Sequence, residues 1–579
     1  MLKYLPHVSL AVALLALFGL AAGEVYDYDI FWQLQSGKYM LETGSFIRQD
    51  LFSLASEVPR YEHCWLHDLI FYAVWVLGGY AGISLLKALL ITATAGCLIA
   101  VARQRQASWL AIALVAPTPL LMTFWAWKER PQLWTYLLFA LFLLILERHR
   151  RQGGRTIWWL LPLAALWANL HAGAILALPV LLAYAVGESL ERKVGRPSGE
   201  LRPLLLATIL APLALLLTPY AAEILRTLWQ SPQFGEASGE FRQLANLDWK
   251  ATTLAGYPGY FKAMAAAGVL LALNWRHVAM RDLLLLGGLA FMGVKLERHT
   301  PFFFFALAAV LPIYADRFLQ KVSHYVGTIR WVAQGEAAPR PYILCALLFL
   351  SLLLAIQAAR PAWRNYGFFA PGLRAWHYPV AEAKFVRTQR LPGNIYNTYG
   401  IGGYLMWTLF PDYRVFWDSR QDSADMFALG MQVKSGQPGW EQVLERFQVN
   451  TLILEACSQA DGSRFPLIDR VVNHREWALV QAGESHLVFV RRTAVAPEWL
   501  QRFELPAERV STTIMAAAYK MLQESPLRPQ ALWEVARGHL ARREFGPALN
   551  ALTRYRQVTS PQMRPVEAEA VYQQLSRIN

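Results

Sequence analysis

Cysteine is scarce in this chain, with four in 579 residues. Cys97 and Cys345 fall inside apolar runs, so no disulfide framework organises the fold. Cys64 and Cys457 would both lie outside the cytoplasm, but nothing in their spacing favours pairing them. Charge is scarce as well. Asp, Glu, Lys and Arg make up 17%, against roughly 25% in soluble domains, which excludes a string of ordinary water-soluble domains. Acidic residues are the scarcer sign, 41 against 55 basic ones, for a net charge of +14. In a soluble protein that excess would suggest nucleic acid. Here Arg and Lys cluster in short turns between apolar runs, the orientation signal of membrane proteins, so a nucleic-acid partner is set aside. No internal repeat is visible, which counts against a transporter built from repeated halves.

What the sequence does have is apolar length. It is 55% hydrophobic with a mean hydropathy of +0.26, and 13% aromatic, which suits interfacial belts. Runs at 5–23, 80–102, 107–126, 132–147, 157–169, 172–187, 203–219, 259–275, 281–295, 300–317 and 341–357 approach the length that crosses a bilayer. The expected fold is an α-helical polytopic membrane protein of about eleven spans. The first run resembles a signal peptide, but the acidic residues directly after it fit an uncleaved span better. With the N-terminus inside, Arg103 and Arg105, Arg148 to Arg155, Arg192 to Arg202, Arg276 and Arg281, and Arg317 to Arg340 all face the cytoplasm.

The parts outside the apolar runs differ in kind. The membrane portion is expected over 1–357, with a long amphipathic first outer loop at 24–79 and a second outer loop at 220–258. Within the first loop, 30–42 and 65–77 read as helices lying on the membrane surface. Residues 358–505 read as a small α/β domain. Its expected strands are 394–397, 414–418, 451–456, 477–482 and 486–492, with helices at 440–447 and 466–472. Residues 506–579 read as a helical tail in which 531–555 resembles one tetratricopeptide helix pair. Such a pair cannot bury its own face and must pack on a neighbour, or bind a protein partner.

Ionisable residues gather at the outer ends of the expected spans. The first loop carries Asp27, Asp29, Glu62, His63, His67 and Asp68. Later turns carry Lys128, Glu129 and Arg130; Asn169 and His171; and Lys295, Glu297, Arg298 and His299. Charge beside hydrocarbon is costly unless it is paired or used. Carboxylates opposite a cation cluster suit one chemistry. A carboxylate takes the proton of an acceptor hydroxyl while the cations, with or without a divalent metal, hold a lipid-linked phosphate leaving a sugar. Blander roles compete: Asp29 as a helix N-cap, Lys128 and Arg130 as interfacial anchors, His171 at a helix break, and His63 and His67 as surface residues. A transporter or flippase, or a non-catalytic envelope-assembly protein, would show many of the same features.

The opening stretch resembles the first-loop signature of bacterial multispanning C-type (GT-C) glycosyltransferases, which use polyprenyl-phosphate donors. The match is Asp27-Tyr28-Asp29, Phe31-Trp32, Leu34 and Gly37. It continues through Asp50, Phe52, Ser53, His63 and Trp65-Leu66, Arg130-Pro131-Gln132, Asn169-Leu170-His171, and Arg298 with Pro301-Phe302. Farther on, GIGGYLMW at 400–407 and RVFWDSR at 414–420 extend it. Gln33 and Cys64 depart from the family pattern. The resemblance implies sugar transfer with inversion, one of the first-loop aspartates Asp29 and Asp27 as the base, and Lys128, Arg130, Arg298 and His299 on the donor phosphate; of the two, Asp29 is preferred because it directly precedes the expected helix. Glu62, His63, His67, Glu129, Asn169, His171, Lys295 and Glu297 would support substrate or structure, and the 220–258 loop would order on substrate binding. A divalent cation, Mg or Mn, would be held by Asp27, Asp29 and His63. The implied setting is the bacterial inner membrane, with the C-terminal domain in the periplasm and a protein, lipid or polysaccharide as acceptor. Asp418 and Arg420 are expected to form an ion pair that holds the soluble domain to the membrane portion. Gly402-Gly403 would start a helix.

Overall fold

The computed structural model describes residues 4–54, 60–196, 199–223, 251–328, 353–354, 356–357, 367–420, 423–526 and 528–577. Most of the expected span at 341–357 and most of the 220–258 loop lie outside the described residues. The chain divides into two units. The first comprises Met1–Val25 and Glu62–Gly372, and the second Tyr26–Tyr61 and Leu373–Asn579.

The first unit is helical among its described residues, with principal helices Leu5–Ala21, Trp65–Gln104, Gln132–Gln152, Leu160–Leu170, Ala177–Lys193, Leu201–Leu215, Pro258–Leu273, Met280–Lys295 and Thr300–Thr328. Among the described residues, three stretches are long and apolar enough to cross a membrane: Trp65–Gln104, Ala172–Lys193 and Glu297–Val322. Four shorter apolar helices accompany them. Trp65–Gln104 breaks at Gly79, whose φ of 57° and ψ of −151° leave the helical region. Glycine reaches that conformation without steric cost, so a short helix from Trp65 and a long apolar one meet there. The helix Thr300–Thr328 forms the centre. Every residue from Phe302 to Leu311 is buried, as expected of a helix that is apolar all round. Leu77, Ile209, Leu213 and Phe291, by contrast, are exposed, a pattern suited to lipid rather than water.

Two arginines counted in the basic turns are not surface charges. Arg105 is buried and donates to Glu147 at 2.6 Å and to Asp282. Arg281, also buried, donates to Glu188 at 2.8 Å and lies 3.5 Å from Glu147. Tyr184 and Tyr314 donate to Glu147 and Asp282 at 3.0 and 2.5 Å. The carboxylates come from three different helices, so the network ties helix ends together rather than only setting orientation. Buried charge persists because each member is paired.

The second unit holds a four-stranded sheet of order β1-β2-β4-β3, formed by β1 (Asn394–Asn397), β2 (Val449–Glu455), β3 (Trp477–Ala482) and β4 (His486–Arg491). β1 runs parallel to β2, and the other pairs are antiparallel. The helices Trp440–Arg446 and Pro466–Val472 form where the apolar spacing predicts them. The stretch 414–418 does not join the sheet. The Asn397 side chain takes the place of a ladder partner, accepting the Phe416 N–H at 3.0 Å and donating to the Trp417 carbonyl at 2.9 Å. The tail helices Glu508–Glu524, Pro529–Ala541, Phe545–Val558 and Val566–Ser576 share one core with the sheet, through Ile514, Trp533, Leu552 and Tyr555. Arg464 pairs with buried Glu534 at 2.6 Å across that junction.

The first-loop helix, Asp29–Thr43, also belongs to the second unit. A membrane-surface position is expected for it from its amphipathicity. Its apolar face instead lies inside the unit: Ile30, Phe31 and Leu34 are fully buried, and the Phe31 ring sits 4.6 Å from Tyr378 and 4.8 Å from Tyr404. The helix Gly402–Leu409 packs alongside it.

Candidate active site

The carboxylate pair stands at the head of the Asp29–Thr43 helix. Asp27 is buried and its Oδ1 accepts the backbone N–H of Asp29 at 2.9 Å. Asp27 therefore closes the turn into the helix. Asp29 is the first helical residue rather than the cap, and there the helix dipole favours a carboxylate. It is half-buried, and its Oδ1 accepts from the Ser419 hydroxyl at 2.5 Å. Tyr28, between them, points elsewhere and donates to Glu455 at 3.2 Å. The two aspartates thus serve different ends although they are two residues apart.

What fixes this head group is a second charged cluster. Arg420, whose side chain is fully buried, donates to both oxygens of Asp418 at 2.7 Å and lies 3.0 Å from Asp50. Burial works to raise the Asp50 pKa. Arg420, the Ser53 hydroxyl, the Phe52 N–H and Arg60 outweigh it and hold the carboxyl below its ordinary value. The 52–54 stretch pairs with Val415, as Leu54 donates to the Val415 carbonyl at 2.9 Å and Val415 to that of Phe52 at 3.2 Å. Within this unit, then, the Asp418–Arg420 pair fastens the first-loop segment 26–61.

The two glycines of the 400–407 motif have a steric purpose here. A Cβ on Gly402 would lie 2.3 Å from the Trp417 carbonyl, and one on Gly403 would lie 3.0 Å from that of Tyr28. They start a helix, as expected, and let it approach the backbones on both sides.

The cationic residues belong to the first unit. The Leu160–Leu170 helix stops at His171, which is extended at φ −163° and ψ 139°. His171 Nδ1 meets the Thr135 hydroxyl at 2.7 Å and accepts the Gly173 N–H at 3.1 Å. Thr135 itself accepts from Trp167 Nε1 at 2.8 Å, so its proton points to His171. A ring nitrogen that accepts twice leaves the ring proton on Nε2. Burial, then the charge of Arg298 and of His63, push His171 down to about 3. His171 is thus a neutral donor close to Arg298 and His63. His67 is buried against Phe71 and accepts from Trp134 Nε1 at 3.0 Å.

Asn169 ties three segments. Its Oδ1 accepts from Trp65 Nε1 at 2.8 Å, and its Nδ2 donates to the Ala165 and Leu217 carbonyls at 2.8 and 2.7 Å. Asn169 and Trp65 line a cavity of about 560 Å³ with Leu166, Leu217 and Thr218. Glu129 is fully buried and paired with Lys87 from the apolar helix Trp65–Gln104. Lys128 and Arg130 flank it and are half-buried. Glu62 is buried. Lys295 is exposed and covers the Phe291 ring, while Glu297, Arg298 and His299 form a single 3₁₀ turn that opens the central helix.

Ser419, Lys87, Thr135 and Trp134 are the residues sequence reasoning missed. Lys87 carried a signal, since a lone lysine in an apolar run implies a buried partner. Ser419 sits between two residues already singled out. Among the described residues, no three His, Cys, Asp or Glu side chains gather as metal ligands; of the residues expected to hold a metal, Asp27 and Asp29 belong to the second unit and His63 to the first. Cys64 and Cys457 are both free thiols.

No family model and no curated protein matches this sequence. The fold, however, is shared with solved structures. One is the archaeal oligosaccharyltransferase AglB from Archaeoglobus fulgidus, determined with an inhibitory peptide and a dolichol-phosphate. The likeness has a TM-score of 0.55 at 12% identity and covers 98% of this chain and 87% of that one. Another is the arabinofuranosyltransferase AftD from Mycobacteria, with a TM-score of 0.52 at 16% identity, covering 84% of this chain. The alignment spans 40% of that longer protein.

Proposed function

We propose that this chain is a membrane glycosyltransferase that moves a sugar from a polyprenyl-phosphate donor to an acceptor hydroxyl outside the cytoplasm, with inversion. The fold it shares with a glycosyltransferase captured with a dolichol-phosphate supports the class. Fold alone does not fix chemistry, so the roles rest on residues. The observation that carries them is the divided use of the aspartates: Asp27 spends an oxygen on the helix N–H, and Asp29 stands oriented at the helix head. In this reading Asp29 is the base. Arg298 neutralises the departing phosphate with Lys128 and Arg130, and His171 adds a neutral N–H donor. Inversion follows because the acceptor oxygen attacks the anomeric carbon from the face opposite the leaving phosphate. No step here is routed through a metal. The helical tail offers a surface for a protein acceptor or partner.

The test is sugar transfer from a polyprenyl-phosphate donor by purified full-length protein. Asp29→Asn should lose at least about a hundredfold in kcat, the usual worth of a general base. Asp27→Asn should lose less in kcat and more in stability. Full turnover by a folded Asp29→Asn variant would sink the reading.

A further inference from the structure

We propose that Ser419 is a positioning residue for Asp29, acting through its hydroxyl. The inference rests on Asp29 being the base, as argued above.

The geometry is specific. The Ser419 hydroxyl donates to Asp29 Oδ1 at 2.5 Å across 390 residues of sequence. A serine hydroxyl alone is a weak constraint, because it rotates. Here the backbone that carries it is fastened on both sides. On one side Trp417 is held twice by Asn397, its carbonyl accepting at 2.9 Å and its indole donating at 2.6 Å. On the other side Arg420 is locked between Asp418 and Asp50, and its own N–H donates to Asp418 Oδ1 at 2.9 Å. Gly402 leaves room for the Trp417 carbonyl. The carrier of the hydroxyl is therefore held on both sides.

The chemical consequence follows from the direction of the bond. A hydroxyl that donates to a carboxylate favours the ionised form. It also selects one oxygen and so fixes the plane of the carboxylate. A base must be ionised and aimed, and Ser419 supplies both conditions without touching substrate. The three residues Asp418-Ser419-Arg420 then divide as clamp, positioner and clamp.

The experiment uses full-length enzyme in detergent or native membranes with the polyprenyl-phosphate sugar donor. The pH dependence of kcat is read for wild type, Ser419→Ala, Ser419→Thr and Asp29→Asn. We expect Ser419→Ala to lower kcat about tenfold with the donor KM within about twofold, and to move the acid limb up by up to about one pH unit. Ser419→Thr keeps the hydroxyl and should restore both. Hydrogen exchange of the 414–418 stretch reports whether each variant keeps the clamp. The proposal is overturned if Ser419→Ala keeps the wild-type kcat and acid limb while Asp29→Asn is inactive. It is overturned equally if Ala and Thr behave alike, because bulk and not the hydroxyl would then matter. If Asp29→Asn turns over normally, the base assignment itself fails, a separable result.

Discussion

Replacing Arg420 by Ala should loosen the first-loop segment selectively, and the size of the effect can be worked out from the burial. The Arg420 and Asp50 side chains are 0% exposed and that of Asp418 is 3% exposed. One cation therefore serves two carboxylates with no access to water. Removing one partner of a buried pair costs about 3–5 kcal/mol, because the charge left behind is uncompensated. The reporters are the Leu54 and Val415 amides, whose hydrogen bonds join the 52–54 stretch to residue 415. If local opening governs their exchange, about 3 kcal/mol means an exchange rate raised by about two orders of magnitude. Amides of β2 and β4 should change far less. The effect also has a pH signature. In wild type the folded pKa of Asp50 lies below its ordinary value. Its stabilisation is thus complete above the unfolded pKa, about 3.9, and is lost as pH falls through the lower folded value. Without Arg420, the largest influence that lowers the carboxyl is gone and its folded pKa moves up. The deficit should then be largest at neutral pH and shrink as the medium is acidified and the carboxyl takes a proton. Exchange within about threefold of wild type at pH 7, or an equal loss across the whole sheet, would refute the clamp.

Two further outcomes follow from buried groups. Lys87→Ala should remove a buried ion-pair partner of Glu129 and cost up to about 3–5 kcal/mol, while the double change Lys87→Met with Glu129→Gln should recover most of it. Melting of the purified protein in detergent followed by intrinsic fluorescence reads both, and a Lys87→Ala variant as stable as wild type would contradict the pair. Glu382, in the second unit, is pushed up to about 7 by burial, opposed by its backbone N–H and aided by Glu484. A folded pKa above the unfolded value means stability that is full below the unfolded pKa, about 4.3, and lost as pH rises through 7. Glu382→Gln should flatten that decline, worth on the order of 3 kcal/mol at most, and identical melting curves at pH 5 and pH 8 for wild type would rule it out.

Much of the first unit was legible because its signal is local. An apolar run announces a helix without reference to any partner, and most expected helices lie within a few residues of those seen. Pairings were not legible in the same way. Amphipathicity showed that Ile30, Phe31 and Leu34 need an apolar surface, but not whether lipid or Tyr378 and Tyr404 supply it. Lys87 and Glu129, or Arg105 and Asp282, lie far apart in sequence, and charge alone does not name a partner. The 414–418 stretch reads as a short apolar strand bounded by charge. What removes it from the sheet is the Asn397 side chain, and a side chain that imitates backbone leaves no periodic trace.

The short motifs that looked separate in the sequence are parts of one object. Asp27-Tyr28-Asp29 supplies a turn, a link to Glu455 and a carboxylate. Gly402-Gly403 admits the helix that lies against Tyr28 on one side and Trp417 on the other. Asp418-Ser419-Arg420 grips Asp50 and donates to Asp29. Each contact needs the others, because the serine reaches Asp29 only if the glycines allow the approach and the arginine holds the strand. The carboxylate of Asp29 is met by a helix terminus, where the dipole favours negative charge, and by a hydroxyl of the same unit that donates to one of its oxygens.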